Sequence, residues 1–225
     1  MDVMTLADAA ERLGVSPRQA QRLAAAGDLT RAVGMTVTSQ SVLSMTTLRP
    51  QRSHLTRAWS EQTAWAALAL LSGRDELARS IGQAQLSRLR ARLRDATPES
   101  LAASLRNRAS VHRYEAHPSA LARLATKVTA PSTGDDAGAL APSVAARVDG
   151  YVTAADLARL VADFALIPAL GAPQVVLRAT DYPHVKVIAA SGAALLGADL
   201  TGSTDPREHA EGLRLLADAL ERFAR

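Results

Sequence analysis

The chain has 225 residues, of which 48% are hydrophobic and only 3% aromatic, so its core must consist mainly of Ala, Leu and Val. This length allows one large domain or two ordinary ones. The absence of cysteine excludes disulfides, zinc–thiolate sites and cysteine nucleophiles, and it fits a reducing compartment. The N-terminus lacks the basic-then-apolar order of a signal peptide, and the longest apolar run, residues 64–71, is too short to span a bilayer. We therefore expect a cytoplasmic protein without membrane association.

Positive charge is concentrated in the first half of the chain. Residues 1–113 carry 16 Lys or Arg against 9 Asp or Glu, whereas residues 114–225 carry 10 against 13. A cationic half joined to a weakly acidic one suits a protein that binds a polyanion through one part. An Arg-rich composition also follows from a GC-rich genome, so charge alone leaves both explanations open.

The first 46 residues contain the start and stop signals of two short helices. Thr5 can cap the first helix, and Gly14 ends it. Ser16 and Gln19 have capping-box spacing at the start of the second helix, and Gly27 ends it. The elements predicted for this segment are a helix over 6–13, a helix over 17–26, a hairpin over 29–38 and a short helix from Thr38 or Ser39 to Met45.

The remainder predicts a larger, mostly helical domain. We expect a domain over 1–46, a polar, basic linker over 47–58 and a second domain over 59–225, with an internal boundary in the Pro/Gly/Ser-rich loop 129–146. The elements predicted for the second domain are helices over 61–71, 81–94, 97–108, 118–128, 153–165, 192–196 and 205–223, a strand over 110–115, and a hairpin formed by 174–179 and 184–190. The fold class is therefore mainly α (α+β), a small winged helix-turn-helix followed by a helical domain with one or two short β-hairpins.

The second helix carries the residues expected to contact DNA. Small residues on the inner faces, Ala9, Ala10 and Ala20, let the two helices cross closely. The side chains left on the outer face can donate to base edges in a major groove, where Arg reads guanine and Gln reads adenine. These outer residues, together with the capping residue, are Ser16, Arg18, Gln19, Gln21 and Arg22. The alternatives are a simple three-helix packing unit, a degenerate helix-turn-helix used for protein contacts, and a Gln19 that folds back on its own helix.

The stretch TLADAAERLGVSPRQAQRLAAAGDLTRA, residues 5–32, resembles the winged helix-turn-helix of excisionases and MerR-type regulators. The shared features are an Ala-Ala pair, a Leu-Gly-Val-Ser turn, an Arg-Leu pair in the second helix and a Gly-Asp-Leu exit into a wing. The resemblance implies major-groove contacts by Arg18, Gln19, Gln21 and Arg22, and a phosphate or minor-groove contact by Arg31. Residues 32–36 depart from the family, whose wing usually carries an aromatic residue and several basic ones.

A second basic element, QLSRLRARLR, spans residues 85–94. Its leucines are spaced as one apolar face of a helix, and its arginines flank that face. The arginines of this secondary basic surface are Arg88, Arg90, Arg92 and Arg94, and we expect Arg106, Arg108 and Arg113 to extend it. It can bind phosphates or an acidic partner, or it is simply a solvated face with arginines laid over the edge of the core. Trp59 and Trp65 are expected to be core or domain-interface residues rather than base-stacking platforms.

No set of groups for catalysis can be assembled from the sequence. The five histidines lack metal-ligand spacing on a helix, and no Gly-rich phosphate loop or G-x-S-x-G elbow occurs. The pair Asp135-Asp136 lies in a Gly-rich stretch without a rigid framework. We therefore expect neither an enzyme nor a bound metal or cofactor.

The overall layout of the chain resembles that of antitoxins of the AbiEi type. The segments that show this resemblance are RAWSEQTAWAALALLSG (57–73) and DPREHAEGLRLLADALERF (205–223). The resemblance implies that a winged-helix head represses the operon and that the following domain counters a nucleotidyltransferase toxin. A toxin or another protein is then the expected partner of the second domain.

The leading hypothesis is a sequence-specific, nucleoid-associated transcriptional regulator that represses its own gene and serves as the antitoxin of a toxin–antitoxin pair. Its partner is double-stranded DNA, and because one helix-turn-helix buries little area on a duplex, we expect a homodimer or tandem copies. Two alternatives stay open. One is an excisionase-like accessory protein that bends DNA, and the other is a protein-interaction module with no DNA role.

Overall fold

A computed structural model of the chain describes residues 3–25, 29, 36–39, 41–43, 58–132, 147–169, 173–203 and 205–225. The strands are β1 (Val3–Thr5), β2 (Thr36–Thr38), β3 (Ser110–Glu115), β4 (Val148–Val152), β5 (Ile167–Pro168) and β6 (Val175–Ala179). The helices are α1 (Leu6–Leu13), α2 (Pro17–Ala25), α3 (Glu61–Leu71), α4 (Asp75–Ala78), α5 (Gln83–Arg94), α6 (Pro98–Leu105), α7 (Pro118–Ala125), α8 (Ala154–Asp163), α9 (Val185–Ala190), α10 (Ala193–Leu200) and α11 (Pro206–Ala224), with a 3₁₀ turn at Arg79–Ile81. The described part is helix-rich with small sheets, which confirms the mainly α (α+β) class.

The chain divides into two compact units, each assembled from segments that are distant in sequence. Unit 1 comprises residues 1–53, 110–128 and 143–179, and unit 2 comprises residues 54–109, 129–142 and 180–225. The predicted domain boundaries stay a prediction. Residues 47–57 of the predicted linker and residues 133–146 of the predicted loop lie outside the described residues.

Helices α1 and α2 of unit 1 begin where the sequence places their caps. The Thr5 hydroxyl accepts a hydrogen bond from the Asp8 N–H at 3.2 Å, and the Asp8 carboxylate bonds back to Thr5, which completes a capping box. Gly14 ends α1 with φ at 58°, a left-handed conformation that glycine adopts without steric cost. The predicted bounds of α1 are confirmed, and α2 begins at Pro17 as predicted.

A small hydrophobic cluster holds this helix pair against a two-stranded sheet. Strand β1 pairs antiparallel with β2, with Met4 opposite Val37. The buried members of the cluster are Leu6, Ala9, Ala10, Leu13, Ala20, Ala24, Leu29, Val37 and Val42. Residues 39 and 41–43 are helical, in agreement with the predicted third helix, whereas residues 30–35 of the predicted hairpin lie outside the described residues. The assignment as a winged helix-turn-helix therefore stays a prediction.

The second part of unit 1 is built on a four-stranded sheet with strand order β4-β6-β3-β5. Strands β4 and β6 run parallel, while β3 is antiparallel to both β6 and β5. Alternate residues of β6 enter a core that α7 and α8 complete. The buried members of this core are Leu121, Leu124, Val148, Val152, Leu160, Leu166, Val175, Leu177 and Ala179.

A partly buried ion pair joins the two parallel strands. Arg178 on β6, only 6% exposed, forms an ion pair with Asp149 on β4. The Arg178 guanidinium also lies 5.9 Å from the ring centroid of Tyr151, the residue opposite it in register. The ion pair and the cation–π contact thus offset part of the desolvation of this cation, whose buried Nε has no hydrogen-bond partner among the described residues.

The predicted strand over 110–115 is confirmed, but the predicted hairpin over 174–190 is wrong. Residues 175–179 form β6, whereas residues 185–190 form helix α9. The buried side chains of α9 are Val185, Ile188 and Ala189, which follow helical i, i+3, i+4 spacing. The alternation of Val185, Lys186 and Val187 resembles a strand over three residues only, and Val187 is 42% exposed.

Unit 2 is a helical assembly around α3. Residues 63–71 of α3 are buried on every side, as expected of a helix with no polar face. Helices α10 and α11 pack closely through Gly197 and Gly212. Helices α3, α5, α6, α10 and α11 overlap the predicted ones, while the four-residue α4 was not predicted. Of the helices that the structure describes, none combines the length and apolar character that crossing a bilayer requires.

Candidate nucleic-acid interface

Helix α2 presents a polar, cationic face. Arg18, Gln19, Gln21 and Arg22 are exposed, whereas Ala20 on the opposite face is completely buried. Arg18 and Arg22 are four residues apart, so their side chains lie one above the other on the same side of the helix. Four long hydrogen-bonding side chains therefore share one accessible surface.

The start of α2 is fixed by local hydrogen bonds. The Ser16 hydroxyl accepts from the Gln19 N–H at 3.2 Å, and the Ser16 carbonyl accepts from the Ala20 N–H at 3.0 Å. The preceding turn is closed by the Val15 N–H, which donates to the Ala10 carbonyl at 2.9 Å. Because the cap uses only backbone atoms of Gln19, its exposed amide stays available for another contact.

The charge of α2 is entirely positive. The helix contains Arg18 and Arg22 and no acidic residue. Among the residues that the structure describes, neither arginine takes part in an ion pair. A polyanion approaching this face therefore does not have to break an ion pair with any residue that the structure describes. Arg31, predicted to contact DNA from the wing, lies outside the described residues.

The secondary basic surface on α5 is only partly as the sequence suggests. Its leucines are buried as expected, and Arg88, Arg92 and Arg94 are exposed. Arg90, in contrast, forms an ion pair with Asp75 at 2.6 Å, so its charge is largely compensated. Arg90 is therefore engaged by a neighbouring carboxylate, and the assignment of the four arginines to a secondary basic surface stays a prediction.

The predicted extension of this surface by Arg106, Arg108 and Arg113 is wrong in part. Arg106 is exposed, but Arg108 is 7% exposed and forms an ion pair with Asp199 in the interior of unit 2. Arg113 is half-buried on β3, which belongs to unit 1. A burial that depends on a partner 91 residues away leaves no local signal in the sequence.

The two tryptophans have different surroundings. Trp65 is completely buried, as predicted, and its indole N–H donates to the Arg108 carbonyl at 2.8 Å. Its ring stacks on Tyr182 with centroids 4.8 Å apart. Trp59 is only half-buried and borders a groove of about 260 Å³ in unit 2. The groove is lined by Trp59, Ser60, Thr63, Gln85, Arg88, Leu89 and Arg92.

Two of the described histidines, His112 and His117, lie within hydrogen-bond distance of neighbouring serines. His117 caps α7 by accepting from the Ser119 N–H at 3.3 Å, and the His112 ring lies 3.1 Å from the Ser110 hydroxyl. Burial lowers the pKa of His112. Within the described ranges, no three His, Cys, Asp or Glu side chains are grouped so that they could hold a metal ion.

Comparison of the chain with protein-family models, with curated proteins and with solved structures gives no match in any of the three. Function must therefore be argued from the residues and their geometry.

Proposed function

We propose that the chain is a sequence-specific DNA-binding transcriptional regulator that represses its own gene, with α2 as the recognition helix. The observation that carries this proposal is the exposed face of Arg18, Gln19, Gln21 and Arg22 on a short helix that is capped at its start. Such a helix fits the width of a B-DNA major groove.

The physical argument combines rigidity with charge. The Ser16 cap orders the start of the helix, and the buried Ala20 and Ala24 pack it against α1, so its backbone loses little additional freedom on binding. Arg18 and Arg22 have no anionic partner among the described residues, and the phosphates of DNA would attract both. Their guanidinium groups can then donate two hydrogen bonds each to guanine, while the glutamines can pair with adenine.

A regulator is favoured over the alternative functions by two features. Excisionase-like accessory proteins are usually much shorter than this chain, most of which lies outside the helix pair. A protein-interaction module would not need guanidinium and amide groups placed together on one rigid helix. Self-repression is supported by the resemblance of the N-terminal segment to bacterial regulators and of the whole layout to AbiEi-type antitoxins.

Binding to DNA upstream of the chain's own coding sequence tests the proposal. Fluorescence anisotropy with tiled duplexes should show one preferred segment, with an affinity that falls as salt rises. Arg18→Ala and Arg22→Ala should each lower discrimination against other duplexes by about 1–3 kcal/mol. Arg222→Ala removes the same charge from an exposed position on α11 and should leave the preference unchanged.

Each alternative predicts a different result. Unchanged discrimination by both Arg18→Ala and Arg22→Ala would contradict the assignment of α2. Failure to bind any duplex at low salt would favour a protein-interaction module. Strong bending of the preferred duplex in a circular-permutation assay would favour an excisionase-like accessory protein.

A further inference from the structure

The groove in unit 2 combines an aromatic ring, an apolar base and two cations. It lies between Trp59, which immediately precedes the α3 cap, and the face of α5 that carries Arg88 and Arg92. Leu89, 2% exposed, lies between the two arginines and forms the apolar base. An indole, a leucine and two guanidinium groups therefore border the same space.

Within the described part of the chain, no ion pair compensates the charges of Arg88 and Arg92 along this groove. Arg88 and Arg92 are exposed, and neither forms an ion pair with a residue that the structure describes. The lining includes no acidic side chain, and α5 itself has none. Two like charges four residues apart on a helix repel each other by a few tenths of a kcal/mol. A bound anion would remove this repulsion and gain two cationic partners.

The polar side of the groove is already ordered. The Gln85 amide donates to the Thr63 hydroxyl at 2.9 Å, and the Thr63 hydroxyl lies 2.9 Å from that of Ser60. Ser60 in turn caps α3 by accepting from the Thr63 N–H. These bonds tie α5 to the start of α3, so the two sides of the groove are held at a fixed separation. A preformed site loses less conformational entropy when a ligand binds.

We propose that this groove binds a small aromatic anion, with the ring against Trp59 and Leu89 and a phosphate or carboxylate held by Arg88 and Arg92. Guanidinium groups bind both kinds of anion through paired, charge-assisted hydrogen bonds. A volume of about 260 Å³ is below the range of pockets for drug-sized ligands, which points to a single ring system. The inference goes beyond DNA binding and concerns unit 2 alone.

Isothermal titration of the full chain with phenyl phosphate and with phenylacetate tests this site. At least one of the two should bind saturably, and the preferred one identifies the anionic group. Inorganic phosphate, which lacks the ring, and benzyl alcohol, which lacks the charge, should each bind at least about tenfold more weakly. Because Trp65 is completely buried, ligand-dependent quenching of tryptophan fluorescence should disappear in Trp59→Phe.

Matched arginine variants distinguish binding in the groove from nonspecific electrostatic attraction to the basic helix α5. Arg88→Ala and Arg92→Ala should weaken binding of the preferred ligand at least about tenfold, the loss expected for a charge-assisted hydrogen bond. Arg94→Ala removes the same charge from the same helix but lies outside the groove lining, so it should change binding by less than about twofold.

Three results would overturn the proposal. They are no saturable binding of either aromatic anion, inorganic phosphate binding as tightly as phenyl phosphate, or an equal loss in all three arginine variants. None of these measurements contains DNA, so the outcome is independent of the proposed role of α2.

Discussion

Arg108 and Asp199 form an ion pair in the interior of unit 2, with side chains only 8% and 5% exposed. Arg108 follows the end of α6, and Asp199 lies on α10, so the pair joins the segment after α6 to a helix that is far away in sequence. The Arg108 guanidinium also donates to the Ala198 carbonyl at 3.1 Å and to the Leu105 carbonyl at 3.2 Å. The cation is therefore satisfied by several oxygens although it is almost completely buried.

Removing one member of this pair should destabilise the protein strongly. Asp199→Ala leaves the Arg108 cation buried without its carboxylate, which typically costs about 3–5 kcal/mol. Urea unfolding followed by circular dichroism measures the loss. Arg108→Met combined with Asp199→Leu replaces both charges and should recover at least about half of it. A loss below about 1 kcal/mol for Asp199→Ala would contradict the importance of the pair.

Gly212→Ala distinguishes close packing from helix propensity. A Cβ at Gly212 would lie 2.6 Å from the Thr201 nitrogen and 2.8 Å from the Gly197 oxygen, both backbone atoms that cannot move independently. Overpacking of this kind typically costs about 1–3 kcal/mol. If α11 were not packed against another helix at Gly212, the same substitution would stabilise the protein by about 1 kcal/mol, because alanine favours a helix more than glycine does. A decrease in the free energy of unfolding therefore indicates close packing, and an increase indicates that helix propensity dominates.

Ala165 is the described non-glycine residue with a left-handed backbone, with φ at 47°. It follows α8, where the Leu166 N–H donates to the Val161 carbonyl at 3.0 Å and closes the helix end. Ala165→Gly should raise the free energy of unfolding by about 0.5–1 kcal/mol, because relief of strain exceeds the added entropy of the unfolded chain. Ala162→Gly, on the exposed side of the same helix, should lower it by about 1 kcal/mol. Destabilisation by both would contradict the strained conformation.

His112 should make stability depend on pH. Burial lowers its pKa in the folded state, so between that value and about pH 6.5 the unfolded chain binds the proton more readily. The stabilisation is therefore present above about pH 6.5 and is lost as pH falls toward the folded-state pKa. In urea unfolding at a series of pH values, His112→Gln should show a shallower dependence than the wild-type chain. Parallel curves would show that His112 does not contribute.

The parts of the fold that the sequence predicted correctly are those fixed by neighbouring residues. Thr5, Gly14, Ser16 and Ser60 mark helix ends through bonds that span three or four positions. The parallel pairing of β4 with β6 depends on contacts between residues 27 positions apart, Val148 opposite Val175, and β4 was not predicted. Its central Asp149-Gly150 also has low strand propensity, so no local signal could reveal it.

Of the candidate sites, the α2 face could be predicted from neighbouring residues, whereas the groove in unit 2 could not. The exposed face of α2 follows from helical periodicity, since the small buried residues leave the arginines outside. The groove beside α5 requires both Trp59, which precedes the α3 cap, and Arg92 on α5, so the arginines alone predicted only a basic surface. Arg108 was misassigned because an arginine near other arginines gives no indication that a distant carboxylate will bury it.

The central claim is that α2 reads base sequence, and selection of binding sites from a pool of random duplexes tests it most directly. The wild-type chain should enrich a motif, and half-sites about 10 base pairs apart would accompany a dimer. A chain carrying both Arg18→Ala and Arg22→Ala should lose the preference at particular positions of that motif while keeping weak, salt-sensitive binding. Enrichment of the same motif by the doubly substituted chain, or of none by the wild type, would contradict the account.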